Sequence, residues 1–276
     1  MDNNYNKINL GFRDLNIVKR IHHYKKIKST QQLALSFAET NIKNEHGTVI
    51  IADEQCEGIG RGKKKWVSPI GGLWMSLIIQ PSIETEKINM LSVISAISVC
   101  EAINEISHLK TYIKWPNDIL INDKKLAGIL INSSVNNNNI DYIVIGIGIN
   151  IKVNLNKIKL SIDPNNILPS EVTSLQHESK GKRIDRFILM KHLLEKIEFY
   201  LSLLEHDKYH KKIIEIYKNL LNIVGKRIIV YQEGLKKYSG LVMDIDNNGG
   251  LILERDDKLR EIIYSGEISI RKEIDK

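Results

Sequence analysis

A glycine-rich basic loop near residue 60 carries the side chains of this chain that are best suited to binding an anion. Gly58, Gly60 and Gly62 alternate with other residues, and Arg61 lies between the last two. Glycine lets the backbone pass close to a ligand, while guanidinium and ammonium groups bind phosphate and carboxylate oxygens. A run of lysines and then Trp66 follow. The segment therefore predicts a loop that folds over a small anionic molecule.

The glycine spacing of this loop matches neither common nucleotide-binding motif. A dinucleotide fingerprint needs its third glycine one position after Gly62 and a helix that begins there. A P-loop needs serine or threonine after its glycine–lysine pair, whereas Lys64 follows here. The apolar stretch from Leu73 to Gln80 predicts that a strand follows instead. Taken alone, the segment is equally typical of a solvated surface turn.

A second group of chemically useful side chains lies in the segment Lys114–Asp118, whose sequence is Lys-Trp-Pro-Asn-Asp. Proline fixes its own φ and holds the preceding residue extended, so the segment should display a cation, an indole, an amide and a carboxylate rigidly. Asn117 suits hydrogen bonds to a base or ribose, and Asp118 suits Mg²⁺ or a neighbouring lysine. The alternative is a turn closed by an Asn or Asp side chain.

Two further segments complete the pattern. Gly128 follows Lys125 by three residues, and Gly146 and Gly148 alternate with isoleucine before Asn150. Alternating glycines remove the side chains from one face of a strand. That arrangement either admits a ligand or accommodates a bulge, and the residues alone do not decide between the two.

In this combination and order, the segments resemble the biotin protein ligases, also called biotin–acetyl-CoA-carboxylase ligases. That family has a G-x-G-R loop ending in K-W-x-S-P-x-G-G, then K-W-P-N-D, K-x-x-G and G-x-G-x-N. The chain matches these motifs at residues 58–72, 114–118, 125–128 and 146–150, and the resemblance extends from about residue 17 to the C-terminus. It departs at Ile59, where several family members have arginine, and isoleucine has no charged group for a side-chain contact to phosphate.

The resemblance implies a biotin pocket beside a nucleotide site. Arg61 would bind the adenylate phosphate, Lys114 would stabilise phosphate charge, and Lys125 would contact biotin or its activated carbonyl. The implied biotin-binding residues are Ser29, Thr30, Gln31, Gln55, Ile59, Gly60, Arg61, Lys125 and Gly128. The implied nucleotide-binding residues are Gly58, Arg61, Trp66, Lys114, Asn117, Asp118 and Asn150. The implied catalytic residues are Arg61, Lys114, Lys125 and, as base for the attacking amine, Asp118.

The reaction implied by the resemblance is ATP-dependent activation of biotin to biotinyl-5′-AMP, with Mg²⁺ as the ion. Biotin is then transferred to a lysine of the biotin carboxyl carrier protein, or carrier domain, of a biotin-dependent carboxylase. A lipoate-type ligase of the same fold and a basic nucleic-acid-binding regulator are the alternatives. Only 28 residues precede Ser29, too few for a helix-turn-helix with its supporting core, so a monofunctional ligase is expected. Whether it forms a homodimer stays open.

The composition indicates a globular protein of the cytoplasm. The net charge is +7, but the lysines are scattered along the chain, so nucleic-acid binding is not the favoured interpretation. Cys56 and Cys100 lie far apart, which argues against a disulfide framework or a zinc ribbon. No apolar run is expected to reach the length of a membrane span. His206 and His210 have helical i, i+4 spacing but no third ligand in sequence, so no metal site is predicted.

The elements that position these residues follow from periodicity and turn signals. Strands are predicted at Ile21–Ile27, Thr48–Ala52, Leu73–Gln80, Tyr112–Trp115, Ile119–Ile121, Leu126–Ile131 and Ile140–Ile151. Helices are predicted after Ser29 or Thr30, at Ile88–Ile106, after Asp185 and at His206–Leu221. Residues 152–182 are expected to be a long polar connection.

Five short strands are predicted after Gly225, with a hairpin turn at residues 247–250. The expected architecture is therefore α+β. A catalytic domain of residues 1–222 would contain a mixed, largely antiparallel sheet with flanking helices. The family resemblance makes this domain similar to class II aminoacyl-tRNA synthetases, followed by a small SH3-like β-barrel at residues 223–276.

Overall fold

A seven-stranded mixed sheet forms the larger part of the fold. The computed structural model describes residues 12, 14–160, 172–221, 223–232, 235–264 and 268–272. The sheet has the order β1-β2-β3-β7-β6-β5-β4, in which β1 and β2 are parallel and the other neighbours are antiparallel. Its strands are β1 Arg20–Ile27, β2 Thr48–Gln55, β3 Leu73–Ile79, β4 Tyr112–Lys114, β5 Asp118–Ile121, β6 Lys124–Asn136 and β7 Asn139–Ile149.

Helices cover both faces of this sheet, so α1 and α2 lie on opposite sides. Alternate strand residues point to opposite faces, and Ile50 packs with α1 whereas Val49 and Ile51 join the larger cluster on the other face. The α-helices are α1 Thr30–Glu45, α2 Ile88–Ser107, α3 Leu155–Leu160, α4 Leu175–Glu178, α5 Arg186–Leu204 and α6 His210–Leu221. Short 3₁₀ helices span Arg61–Lys63, Thr85–Lys87 and Asp207–Tyr209. The α+β architecture with a mixed, largely antiparallel sheet is confirmed.

The segment Thr85–Ser107 is long and apolar enough to cross a membrane by length and composition alone. The expectation that no run approaches that length was therefore wrong. The fold accounts for its composition, because 72% of the apolar window is buried inside the fold. Helix α2 packs between the sheet and α5, so its hydrophobic residues serve the core.

The predicted polar connection at residues 152–182 contains two helices in its described part, so this prediction was wrong in detail. Asn154 Oδ1 accepts hydrogen bonds from the backbone N–H groups of residues 156 and 157, which caps α3. Ser174 caps α4 by accepting from His177 N at 3.3 Å. Both helices are too short for periodicity to indicate them. Residues 161–171 lie outside the described residues.

A smaller antiparallel sheet follows α6, with the order β11-β10-β9-β8-β12. The predicted hairpin is confirmed, because Asp246 N donates to Gly250 O at 2.9 Å. Residue 222, the predicted boundary, lies outside the described residues, and the division of the chain there stays a prediction. The strands are β8 Arg227–Gln232, β9 Leu235–Ile245, β10 Leu251–Arg255, β11 Arg260–Ile263 and β12 Ile268–Lys272.

Candidate active site

The glycine-rich loop is a narrow hairpin between β2 and β3. Its base is closed by Gln55 N donating to Ser68 O at 3.0 Å, and Trp66 N donates to Gly58 O at 2.8 Å. A Cβ on Gly58 would lie 2.3 Å from Trp66 O, so glycine is needed for this close approach. The tip contains Gly62 with a φ of 64°. The loop is therefore held against itself by its backbone rather than being a freely solvated turn.

Ile59 and Gly60 contribute through their backbones. Ile59 forms an isolated β-bridge with Lys65, and Gly60 N donates to Lys64 O at 2.6 Å. Both residues lie next to Arg61, whose burial lowers the pKa of its guanidinium while Asp118 raises that pKa. The main-chain contacts of this part of the hairpin are thus made without an arginine at position 59.

The indole of Trp66 lies on the sheet directly over two of the glycines of the motifs. A Cβ on Gly148 would lie 2.5 Å from Trp66 Nε1, and one on Gly128 would lie 3.0 Å from Trp66 Cζ3. Lys125 Nζ lies 5.0 Å from the centroid of the indole ring, a cation–π distance. The alternating glycines thus accommodate a side chain of this chain. Trp66 Nε1 is buried and has no hydrogen-bond partner among the described residues.

Three of the predicted catalytic residues are cations that lie near the fourth, the carboxylate of Asp118. Lys125 Nζ lies 2.7 Å from Asp118 Oδ1, and the charge of Asp118 acts on Arg61. Lys114 is the register partner of Asp118 across β4 and β5, which places both side chains on one face of the sheet. The result is a cluster of three cations around one acid, with Lys125 and Asp118 each about a quarter exposed. Such a cluster suits a ligand with more than one negative charge.

The neighbouring residues of the Lys114–Asp118 segment have structural roles. Asn117 Nδ2 donates to Ile129 O at 2.7 Å, so one of its two amide hydrogens is used within the sheet. Trp115 is 3% exposed, and its Nε1 donates to Gly249 O at 3.2 Å. The expectation that this segment displays an indole to a ligand was therefore wrong. Apolar burial against α2 and the C-terminal sheet draws the ring away from the site.

Asn150 is held in place by a segment that the sequence did not assign to the site. Its Nδ2 donates to Thr173 O at 3.0 Å, while its Oδ1 is buried without a hydrogen-bond partner in the described part of the chain. Thr173 N in turn donates to Lys125 O at 3.0 Å. No sequence signal links residues 172–174 to the site, because the contact depends on a long connection that returns to the sheet.

Four of the predicted biotin-binding residues, Ser29, Thr30, Gln31 and Gln55, lie at or next to the start of α1. Ser29 Oγ accepts from Gln32 N at 3.4 Å as the N-cap of the helix. Thr30 N donates to Gln55 Oε1 at 2.7 Å, and Gln55 Nε2 donates to Ser68 Oγ at 2.7 Å. The first turn of α1 is thereby joined through Gln55 to the base of the glycine-rich loop.

Gln31 is inserted into the sheet rather than displayed on its surface. Its Nε2 donates to Val144 O at 3.1 Å and to Asn132 Oδ1 at 3.0 Å, and its Oε1 accepts from Ser76 Oγ at 2.9 Å. A Cβ on Gly146 would lie 2.3 Å from Gln31 Oε1, so this glycine makes room for the amide. Ser76 was missed by sequence reasoning, and Ser68 entered it only as part of the family motif. A single serine within the apolar strand β3 was the available signal for Ser76.

Across residues 12–272 as far as they are described, no group of three or more His, Cys, Asp or Glu is arranged to hold a metal ion. His206 stacks edge-on against Tyr209, and His210 Nε2 lies 3.1 Å from Leu204 O. These two histidines are thus engaged locally at the junction of α5 and α6.

Comparison with known proteins agrees with the motifs. Residues 24–150 match the model of the biotin/lipoate A/B protein ligase family. Residues 223–271 match the model of the biotin protein ligase C-terminal domain. The first match contains every predicted site residue named above, from Ser29 to Asn150.

Individual relatives agree with these matches. The chain is 32% identical over 270 residues to the bifunctional ligase/repressor BirA of Bacillus subtilis, covering 96% of this chain and 78% of that protein. It is 30% identical to the Escherichia coli protein of the same name, covering 82% of this chain and 67% of that one. A biotin protein ligase from Aquifex aeolicus, solved in complex with biotin and ATP, superposes with a TM-score of 0.72 at 28% identity, covering 92% of this chain and 100% of that chain.

Proposed function

Because the chain belongs to the biotin protein ligase family, we propose that the site around Asp118, Lys125 and Thr30 activates biotin with ATP and transfers it to a carrier-protein lysine. The observation that supports this most directly is the cluster of Arg61, Lys114 and Lys125 around Asp118. The polar side chains at the start of α1 are joined through Gln55 to the base of the loop that carries Arg61. A phosphate-bearing substrate and a neutral polar ring would thus have adjacent, chemically distinct places.

In the first step, a carboxylate oxygen of biotin attacks the α-phosphorus of ATP. The new phosphorus–oxygen bond gives biotinyl-5′-AMP, and the bond to the β-phosphate breaks to release pyrophosphate. Two anions must come together, so the step requires cations that are in place before the reaction. Arg61, Lys114 and Lys125 supply them, and the partial burial of the cluster strengthens their effect.

The nucleotide side of the proposed site is formed by Asn150, Trp66 and Asp118. Asn150 Oδ1 has no hydrogen-bond partner among the described residues, and it can only accept, because the amide is oriented by Nδ2, which donates to Thr173 O. A ribose hydroxyl or an ion-bound water would satisfy it. The carboxylate of Asp118 and the carbonyl of Asn150 are the hard oxygen donors that fit Mg²⁺, which when bound would neutralise part of the phosphate charge.

In the second step, the lysine amine of a carrier domain attacks the activated carbonyl of biotin. An amide bond forms, and AMP leaves with the electrons of the broken mixed-anhydride bond. The hairpin loop that carries Arg61 lies over this region and would limit hydrolysis of the anhydride before the amine arrives. Asp118 has two candidate roles in this step, as the base that takes the amine proton or as the anchor of Lys125, whose Nζ lies 2.7 Å from its Oδ1.

We further propose that the carrier is a biotin carboxyl carrier protein or domain, that the reaction occurs in the cytoplasm, and that residues 223–276 form a separate unit that helps hold ATP and the carrier. The match of residues 223–271 to the C-terminal domain model supports the last of these. The chemistry of the site requires a flexible, exposed lysine on the partner. Neither nucleic acid nor a membrane takes part in this reaction.

Biotin-dependent exchange between ATP and labelled pyrophosphate tests the proposal. The purified protein with Mg²⁺ should catalyse exchange with biotin and not with lipoate in its place. It should then transfer label from biotin to an added carrier domain. Exchange with lipoate but not biotin would favour the lipoate-type ligase, and no exchange together with salt-sensitive nucleic-acid binding would favour the regulator.

A further inference from the structure

We propose that Ser76 is a positioning residue that fixes the Thr30 hydroxyl as a hydrogen-bond acceptor for the cyclic urea of biotin; this rests on the proposed function. Ser76 lies in the middle of β3 and is fully buried. Its Oγ lies 2.9 Å from Thr30 Oγ1 and 2.9 Å from Gln31 Oε1. Every other side chain of β3 is apolar or an indole, so this hydroxyl serves contacts that the hydrophobic core does not require.

The orientation of the Gln31 amide determines the direction of the first hydrogen bond. Gln31 Nε2 faces the backbone carbonyls of Val144 at 3.1 Å and Leu130 at 3.5 Å. Carbonyl oxygens only accept, so the NH₂ group must lie on that side and Oε1 must face Ser76. Among the described contacts, the Ser76 hydroxyl is the donor to this buried oxygen. The single proton of Ser76 is therefore committed to Gln31.

The proton of Thr30 is likewise used inside the protein. Its two acceptors are Ser76 Oγ at 2.9 Å and Gln55 Oε1 at 3.1 Å. The Gln55 amide is fixed too, because its Oε1 accepts from Thr30 N and its Nε2 donates to Ser68 Oγ. Whichever acceptor Thr30 uses, its hydroxyl has no proton left for a ligand. Thr30 can then only accept, and a ureido N–H is a donor that fits it.

Ser76 also fixes where this acceptor lies. It is the register partner of Gly146, the residue whose missing side chain admits the Gln31 amide. Removing the Ser76 hydroxyl would leave Gln31 Oε1 without its donor and would leave the Thr30 hydroxyl with only the longer contact to Gln55. The Thr30 hydroxyl and the Gln31 amide would then no longer be held in the positions proposed for binding the urea. The described contacts of the Ser76 hydroxyl are to Thr30 and Gln31, so its removal should leave Asn150 and Asp118 at the nucleotide end of the site in place.

The test compares Ser76→Ala with Ser98→Ala. Ser98 is also fully buried, and its hydroxyl donates to Ile94 O at 2.7 Å within α2, away from the site. In the exchange assay we expect Ser76→Ala to raise the KM for biotin roughly tenfold, the loss of about one hydrogen bond, with the KM for ATP and kcat changed less than twofold. Ser98→Ala should leave all three constants within twofold of the wild type.

Two biotin analogues, each with one ureido N–H replaced by a ring oxygen, separate positioning from general damage. For the analogue whose oxygen faces Thr30, the ratio of dissociation constants between Ser76→Ala and wild type should fall from about tenfold to less than threefold. A ratio that stays near tenfold for both analogues would overturn the inference. Ser76→Cys keeps the volume with a weaker donor and acceptor, and carries the same expectation if Ser76→Ala does not fold.

The outcome for the wild type separates this inference from the proposed function. If the wild type shows no biotin-dependent exchange, both the proposed function and the role of Ser76 are refuted. If the wild type is active and Ser76→Ala has the same KM for biotin as Ser98→Ala, only the role of Ser76 is refuted.

Discussion

At the scale of the residue, Asp118 is the centre of the proposed catalytic cluster. A carboxylate in this position has two candidate roles, as a base for the attacking amine or as the anchor that holds Lys125. The 2.7 Å contact with Lys125 Nζ favours the anchor, because it occupies Oδ1 and keeps the ammonium over the indole of Trp66. Removing the charge would also leave Arg61 and Lys125 without their shared counterion.

We expect Asp118→Asn to lower the rate of biotin-dependent pyrophosphate exchange by about 100-fold, similar to losing one preorganised electrostatic contact. The physical reason is that Lys125 is no longer held toward the α-phosphate. Transfer from supplied biotinyl-5′-AMP to a carrier lysine, measured in a single turnover, should fall by a smaller factor.

Asp123→Asn is the control for this substitution. Asp123 lies in the turn after β5, and its Oδ1 accepts from Tyr112 Oη at 2.7 Å outside the cluster. This variant should retain exchange within about twofold, since surface substitutions rarely perturb a distant site. Normal exchange with a large loss of transfer in Asp118→Asn would instead identify Asp118 as the base.

At the scale of the element, glycines of β7 leave room in the sheet for side chains of α1 and of the glycine-rich loop. Gly146 admits the Gln31 amide and Gly148 admits the Trp66 indole, so two alternate positions of one strand accommodate a side chain of α1 and a side chain of the loop.

A separate set of ion pairs stabilises the edge of the same sheet. Asp53 on β2 contacts both His23 Nε2 at 2.8 Å and Arg186 Nη2 at 2.5 Å, which ties β1 and β2 to the start of α5.

This edge contact predicts an acid-sensitive contribution to stability. Burial raises the pKa of Asp53, but hydrogen bonds from His23 and Arg186 outweigh it and lower the pKa below its ordinary value. A depressed pKa gives stability that is present above the unfolded-state pKa of about 4 and is lost as pH falls through the folded-state value. We expect Asp53→Asn to reduce the free energy of unfolding by about 1 kcal/mol at pH 7 and by progressively less below pH 4.

Urea denaturation of both proteins at pH 7 and pH 3 measures this difference. Glu54→Gln is the matched control, because the adjacent Glu54 pairs with Lys26 at 3.2 Å in an exposed ion pair. Its effect should stay within about 0.5 kcal/mol at either pH. An Asp53→Asn deficit that is equal at the two pH values would show that the ion pairs are not its cause.

The elements that sequence predicted well are those whose signals are local. Helix α5 follows its Asp185 cap, whose Oδ1 accepts from Phe187 N at 2.8 Å, and the hairpin at residues 247–250 follows from its asparagines and glycines. The motifs likewise indicated that Arg61, Lys125 and Asp118 would lie near one another. Burial of Trp115, the tether of Asn150 to Thr173 and the insertion of Gln31 beside Ser76 depend on contacts between distant residues, which no local pattern encodes.

At the scale of the whole molecule, the Lys114–Asp118 segment is held between the main sheet and the C-terminal sheet. Trp115 Nε1 donates to Gly249 O, and Tyr217 Oη on α6 donates to Pro116 O at 3.5 Å. Lys218 Nζ lies 2.6 Å from Asp244 Oδ1 on β9. The backbone that carries Lys114 and Asp118 is therefore braced by residues of the C-terminal part of the chain, which links that part to the geometry of the proposed site.

Gly249 is the position where this link is most sensitive. Its φ is +81°, and a Cβ there would lie 2.4 Å from Val93 Cγ2 on α2. Gly225 provides a matched control, because its φ is +78° but a Cβ there would meet nothing within 4 Å. Alanine at either position pays a left-handed backbone cost of about 1 kcal/mol. Only at Gly249 must the new methyl group also displace the buried side chain of Val93, and with it the turn whose Gly249 carbonyl accepts from Trp115 Nε1.

We therefore expect Gly225→Ala to lower the free energy of unfolding by about 1 kcal/mol without changing exchange kinetics. Gly249→Ala should lose a further 1–3 kcal/mol, about the cost of overpacking a core, and should raise the KM for ATP several-fold while the KM for biotin stays nearly constant. Denaturation and exchange assays on the two variants decide the matter. Equal KM values for ATP would show that the C-terminal sheet stabilises the fold without shaping the nucleotide side of the site. A selective rise in Gly249→Ala would mean that the brace at Trp115 sets the position of Lys114 and Asp118.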